Sequence, residues 1–213
     1  MMPLLACTAW LATGWAIAAG SAPVQETDTP PAAIAPSTPL GPEVVDRIAA
    51  GGAACTFPVP FPGPSDADPR VRRDAVSRLA RAGVDPLPAA LALAALCDPD
   101  ASVREEAILG VVEIDDRAVA RRILEHALRD PAADVRLTAV EAIVDLGGDD
   151  AAWTLASALR DADPAVREAA VDALGEIGGE VAVTILRQAL ADSHHPVRES
   201  AAEILEELTG EAP

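Results

Sequence analysis

The chain has 213 residues, a formal net charge of −18, and 50% hydrophobic residues of which few are aromatic. That apolar fraction excludes disorder throughout, and a core of Ala, Leu and Val without Tyr suits closely packed helices better than a β-sandwich. All 16 basic residues are Arg, and the acidic surplus disfavours nucleic acid and anionic lipid surfaces, leaving a basic protein or a cation as the partner that fits the sign.

Residues 4–19 form an uncharged, largely apolar run followed by Ala18-Ala19-Gly20-Ser21-Ala22. This is the hydrophobic region and small-residue cleavage region of a secretory signal peptide, assigned to residues 1–22, although no basic residue precedes Arg47. Export, to the periplasm of a Gram-negative source, is the expected localisation; the alternative is an uncleaved N-terminal anchor with the chain facing the periplasm. Residues 23–65 read as a linker. Prolines at 23, 30, 31, 36, 39 and 42 hold its first part extended, residues 43–50 allow a short helix, and a Pro/Gly-rich stretch runs from 51 to 64.

From residue 66 to the C-terminus the sequence repeats. Val71-Arg72, Val103-Arg104, Val135-Arg136, Val166-Arg167 and Val197-Arg198 recur at intervals of 32, 32, 31 and 31 residues. Six residues before each Arg stands an Asp (Asp66, Asp98, Asp130, Asp161, Asp192), and four after each Val an Ala (Ala75, Ala107, Ala139, Ala170, Ala201). Further apolar residues at 5, 8 and 11 after each Val trace one stripe of an α-helix. Gly83, Gly147, Gly178 and Gly210 then fall where a left-handed cap is needed, with Asp115 in place of Gly in one unit. A preceding helix is predicted over 87–96, 117–128, 150–159 and 180–190. Two antiparallel helices per unit, neither able to bury its apolar face alone, predict an all-α stacked solenoid of about four and a half hairpins.

The pattern Leu-x-Asp-x-x-x-x-Val-Arg-x-x-Ala-x-x-Ala-Leu-Gly-x-Ile-Gly, nearly complete from Leu159 to Gly178, resembles the HEAT repeat in the short form also found in phycobilisome lyases. The resemblance implies a right-handed, armadillo-like superhelix, with the first helix of each pair on the convex face and the second on the concave face. It also implies the alternative function, a bilin-lyase-like enzyme.

The recurring charges read as structure. Each Asp precedes the second helix, where a carboxylate accepts backbone amides, and Arg72, Arg104, Arg136, Arg167 and Arg198 can reach Asp66, Asp98, Asp130, Asp161 and Asp192 of their own or the adjacent unit as a ladder of bidentate pairs. A catalytic group is needed once, whereas these recur in every unit. A second stripe, at 1, 5 and 9 after each Arg, carries ten acidic residues in fifteen positions: Glu105, Glu113, Glu141, Asp145, Glu168, Asp172, Glu176, Glu199, Glu203 and Glu207. Like charges at i,i+4 weaken a helix by a few tenths of a kcal/mol each, so folding alone does not favour this field. It is the candidate binding surface for a basic partner.

Little else carries chemistry. Cys55 and Cys97 can form one disulfide in an oxidising compartment. His194-His195 lacks a third ligand at fixed spacing, so no metal site is assigned; no phosphate loop or nucleophile–base spacing occurs, so neither cofactor nor catalysis is expected. Trp153 reads as a packing residue. The expected function is an exported interaction scaffold, with a membrane-tethered structural envelope role as a further alternative and the oligomeric state left open.

Overall fold

The computed structural model describes residues 40–50, 66–82 and 87–210. The signal-peptide assignment, most of the linker, Gly83 and Cys55 lie outside them. Among the described residues there are ten α-helices and no strand: α1 Pro42–Ala49, α2 Pro69–Ala82, α3 Leu87–Cys97, α4 Ala101–Val111, α5 Arg117–Ala127, α6 Ala133–Leu146, α7 Gly148–Leu155, α8 Pro164–Ile177, α9 Gly179–Ala189 and α10 His195–Thr209. The second helices α2, α4, α6, α8 and α10 stack in one row. The first helices α3, α5, α7 and α9 form the row behind, paired as α3/α4, α5/α6, α7/α8 and α9/α10.

The repeated residues explain the stacking. Val103, Val135, Val166 and Val197, and likewise Ala107, Ala139, Ala170 and Ala201, are fully buried in one continuous core. Small residues let neighbouring helices approach closely. A Cβ added at Gly110 would lie 2.8 Å from the Ala80 Cβ, and one at Gly175 would lie 2.9 Å from the Ile204 side chain. The α2/α4 and α8/α10 contacts therefore admit no larger residue without displacement.

The hairpin turns are set by glycine and aspartate. Gly147 (φ 63°, ψ 174°) ends α6 and opens α7; Gly178 (φ 65°, ψ −165°) does the same between α8 and α9. Both have positive φ with extended ψ, a region essentially restricted to Gly, and not the left-handed cap the sequence suggests. Only Gly210 (φ 70°, ψ 11°) adopts that cap among the described residues. At Gly178 an added Cβ would meet the Gly175 carbonyl oxygen and the Leu208 side chain at ordinary van der Waals contact, 3.9 Å each. Gly178→Ala should thus lower stability by about 1–3 kcal/mol through backbone strain alone, measured by urea unfolding.

Two elements differ from the periodic expectation. The helix expected over 150–159 stops at Leu155, and a 3-10 turn covers Ala158–Arg160. Thr154 Oγ1 donates to the Asp150 carbonyl (2.8 Å) and Ser157 Oγ to the Thr154 carbonyl (3.2 Å) around this break. The second is α1. The short helix anticipated in the linker is present, and it docks across α3 and α5 with Val44, Val45 and Ile48 buried. Leu40 packs against the same core.

Candidate interaction surface

The Asp/Arg ladder forms, and its register is uniform. Each Arg forks the Asp of the following unit with Nε and Nη2: Arg72 on Asp98 (2.8 and 2.9 Å), Arg104 on Asp130 (2.7 and 2.8 Å), Arg136 on Asp161 (2.7 and 2.8 Å) and Arg167 on Asp192 (2.7 and 2.9 Å). Its Nη1 donates to the main-chain carbonyl of its own unit's Asp, at 2.8 Å for Arg104 on Asp98. Between the two choices left by the sequence, the carboxylate therefore goes to the neighbour and the carbonyl to the home unit.

At the turn the structure differs from the sequence expectation. The ladder Asp is not the helix cap. It accepts the amide two residues on, as Asp130 does from Ala132 (2.8 Å), and the caps of α4 and α8 are the separate residues Asp100 and Asp163. The turns before α4 and α8 thus use one carboxylate for the lateral fork and another for the helix end, whereas α6 and α10 start from Ala132 and His194 without a side-chain cap.

The fork shifts the ionisations as charge-assisted bonds should. Hydrogen bonding from Arg167 holds the Asp192 carboxyl below its ordinary value despite partial burial. Burial pushes the Asp161 carboxyl up, but the Arg136 fork and the Asp163 amide outweigh it and leave the carboxyl lowered.

The acidic stripe lies on the outward side of the second-helix row, which in the HEAT architecture is the concave face. Glu113, Glu141, Asp145, Asp172, Glu176, Glu199, Glu203 and Glu207 are exposed, whereas Glu105 and Glu168 are half-buried. The position immediately after the Arg faces the next helix of the row instead of solvent, which 3.6-residue periodicity alone does not reveal. Partial desolvation, followed by repulsion from Asp134 of the next unit, raises the Glu105 carboxyl pKa. Glu199 pairs with His195 (3.3 Å) and Asp172 accepts from Ser200 Oγ (2.8 Å). Among the described residues the other eight have no side-chain hydrogen bond or ion pair. Ser77, Arg81, Glu106, Leu109 and Glu113 line a depression of about 450 Å³ between α2 and α4, where Leu109 is 53% exposed.

The sequence reading missed one charged cluster. Asp46 of α1 accepts from Arg122 Nε (2.6 Å) and Nη2 (2.8 Å), its Oδ1 lies 2.7 Å from His126 Nε2, and Arg122 Nη1 donates to Glu125 (2.6 Å). The hydrogen bonds from Arg122 and then His126 hold the Asp46 carboxyl down at about 2. The available signals were Arg122 and His126 one turn apart on α5 and the Val44/Val45/Ile48 stripe of α1.

Cys97 is disulfide-bonded, and its partner lies outside the described residues. Its Sγ is 3.9 Å from the Ile48 carbonyl oxygen, beside the end of α1. Trp153 is 59% exposed on α7, not a packing residue. Among the described residues no cluster of three or more His, Cys, Asp or Glu side chains could hold a metal ion, and no helix is long and apolar enough to cross a membrane.

Comparisons with known proteins agree with this architecture. The complex of CpcE and CpcF of phycocyanin lyase from Nostoc sp. is similar in fold, with a TM-score of 0.52 at 23% identity over 88% of this chain and 70% of that one. Human deoxyhypusine hydroxylase matches with a TM-score of 0.46 at 24% identity, over 79% of this chain and 54% of that one. An engineered protein matches with a TM-score of 0.45 at 19% identity, over 77% of this chain and 78% of that one. No curated protein matches. The first two are enzymes, and at these identities the likeness is one of fold. The family model of HEAT repeats matches residues 64–143 and 120–206, together about two thirds of the sequence, and the chain belongs to the HEAT-repeat family.

Proposed function

We propose that the protein is an exported interaction module whose second-helix row docks a basic segment of a partner protein. The observation that carries this reading is the run of exposed carboxylates Glu113, Glu141, Asp145, Glu176, Glu203 and Glu207, none of which is neutralised by a neighbouring side chain among the described residues. Helices in such a row stand about 8–10 Å apart, so the field is two-dimensional and repels itself. A bound cationic segment relieves that repulsion in every unit it crosses. Solenoids of stacked repeats present extended surfaces whose specificity resides in such exposed side chains.

The test is a triple charge reversal, Glu141→Lys, Asp172→Lys and Glu203→Lys, in affinity capture from an envelope extract. Capture of a basic protein by the wild type should weaken with salt and be lost in the variant, whose helical signal should stay unchanged. Equal capture by the variant would remove the acidic face from the function. The bilin-lyase alternative rests on shared fold, and an acidic face suits a chromophore carrying anionic propionates poorly.

The apolar run at residues 4–19 supports export. N-terminal sequencing of protein from the soluble envelope fraction should begin near Ala22. An unprocessed N-terminus in the membrane fraction would instead make the solenoid a tethered one.

A further inference from the structure

The ladder that joins the repeats is unfilled at its two ends. At the C-terminal end Arg198 Nη1 donates to the carbonyls of Asp192 (2.8 Å) and Ser193 (3.1 Å), and each of its four counterparts likewise donates to the carbonyl of its own unit's Asp. Its Nε and Nη2, which in those four fork the next unit's Asp, meet no acceptor among the described residues. At the other end the Asp66 carboxylate accepts only the Asp68 amide (2.8 Å), and no Arg among the described residues reaches it. Val71 shows the same incompleteness. It is 39% exposed, whereas its counterparts Val103, Val135, Val166 and Val197 are each 0% exposed.

The residues flanking these open rungs are matched in charge. Within the row, Ala80 of α2 meets Gly110 of α4, and Gly175 of α8 meets Ile204 of α10. Carried one unit further in the same register, Glu206 of α10 faces the position held by Arg78 of α2. Desolvation and then repulsion from Asp134 of the next helix raise the Glu105 carboxyl, and the equivalent step from Glu199 leads to Arg70. Positions that are small or like-charged inside the stack thus become Glu at one end and Arg at the other. One contact opposes this: the Asp172–Ser200 step, carried on from Glu203, leads to Asp74, which is paired with Arg78.

We propose that a second copy of this chain stacks head to tail on the first, α2 on α10, with Arg198 forking Asp66 of the next copy and continuing the ladder between molecules. The contact is heterologous, so its two faces differ and the copies join head to tail as a ring or an open filament. It leaves the acidic outward face of the row free and does not depend on what that face binds.

Sedimentation of the full chain tests the contact. Wild-type protein should show a weight-average mass that rises with concentration at low salt and falls back as salt is added. Arg198→Asp and Asp66→Arg should each associate at least about tenfold more weakly, as loss of a complementary charge pair implies. An equimolar mixture of the two should regain assembly, because each variant's altered end meets a matching end on the other. Arg78→Glu mixed with Glu206→Arg supplies an independent pair on the same interface. Wild-type protein that stays monomeric at every concentration would overturn the proposal. Single reversals that assemble like wild type, or mixtures of folded variants that recover nothing, would do the same.

Discussion

Asp130→Ala should destabilise the protein by about 3–5 kcal/mol, measured by urea or thermal unfolding followed at the helical circular dichroism band. The Arg104 and Asp130 side chains are 10% and 8% exposed, and Nε and Nη2 of the guanidinium both end on that carboxylate. Removing one partner leaves the other charge poorly solvated, and that desolvation, more than the loss of attraction, sets the size of the effect. Asp130 also accepts the Ala132 amide, so the turn into α6 loosens at the same time. Replacing both members, Arg104→Met with Asp130→Leu, should recover much of the loss, since no charge is then left unpaired. Asp66→Ala, measured on dilute monomer at high salt where copies do not stack, is the internal control. Its carboxylate receives only the Asp68 amide, and the change should stay within about 0.5 kcal/mol. A loss at Asp66 equal to that at Asp130 would mean the Asp acts through its turn and not through the fork.

Val45→Asp should release α1 while leaving the repeats folded. Val45 is fully buried where α1 packs on α3 and α5, and an unpaired carboxylate there costs several kcal/mol. A helix of 8 residues has too few hydrogen bonds to persist once undocked, so α1 should melt on release. Hydrogen exchange should then lose protection at residues 42–50 and in the flanking parts of α3 and α5, with α6 to α10 unaffected. Continued protection of α1 would show that the disulfide at Cys97, not the apolar stripe, holds this segment.

The same release gives a pH signature. The Asp46 carboxyl, held at about 2 by Arg122 and His126, has an ordinary value of 3.8. A folded-state value below the unfolded one contributes stability that is present above about 4 and is lost as pH falls through about 2. Docking of α1 should therefore weaken across that interval in the wild type. In Val45→Asp the Asp46 titration, followed by carboxyl NMR, should return to its ordinary position.

The repeat was legible because one set of residues recurs five times. Val-Arg, the Asp six residues before the Arg and the Ala four after the Val appear in every unit, and a periodic sequence can satisfy a periodic stack in few ways. The second-helix stripe, the pairing of hairpins and the structural character of the ladder all follow from that period. The fate of Glu105 and Glu168 did not, because their half-burial comes from the neighbouring helix and not from their own. Nor did the end of α7 at Leu155, which no residue spacing marks.

Sequence by itself determined that this chain stacks helical hairpins, and that an excess of carboxylates accumulates along the second helix of each. Both are properties of short windows repeated, and local spacing is enough to express them. Tertiary structure alone decided which Asp each Arg grips, that α1 folds back onto α5 through Asp46 and Arg122 some 76 residues away, and where the ladder is left open. Those outcomes depend on which surfaces meet across many residues of chain, and the free energy that selects them, burial of Val44, Val45 and Ile48 and the pairing of charges that burial would otherwise leave unpaired, exists only once the stack has formed.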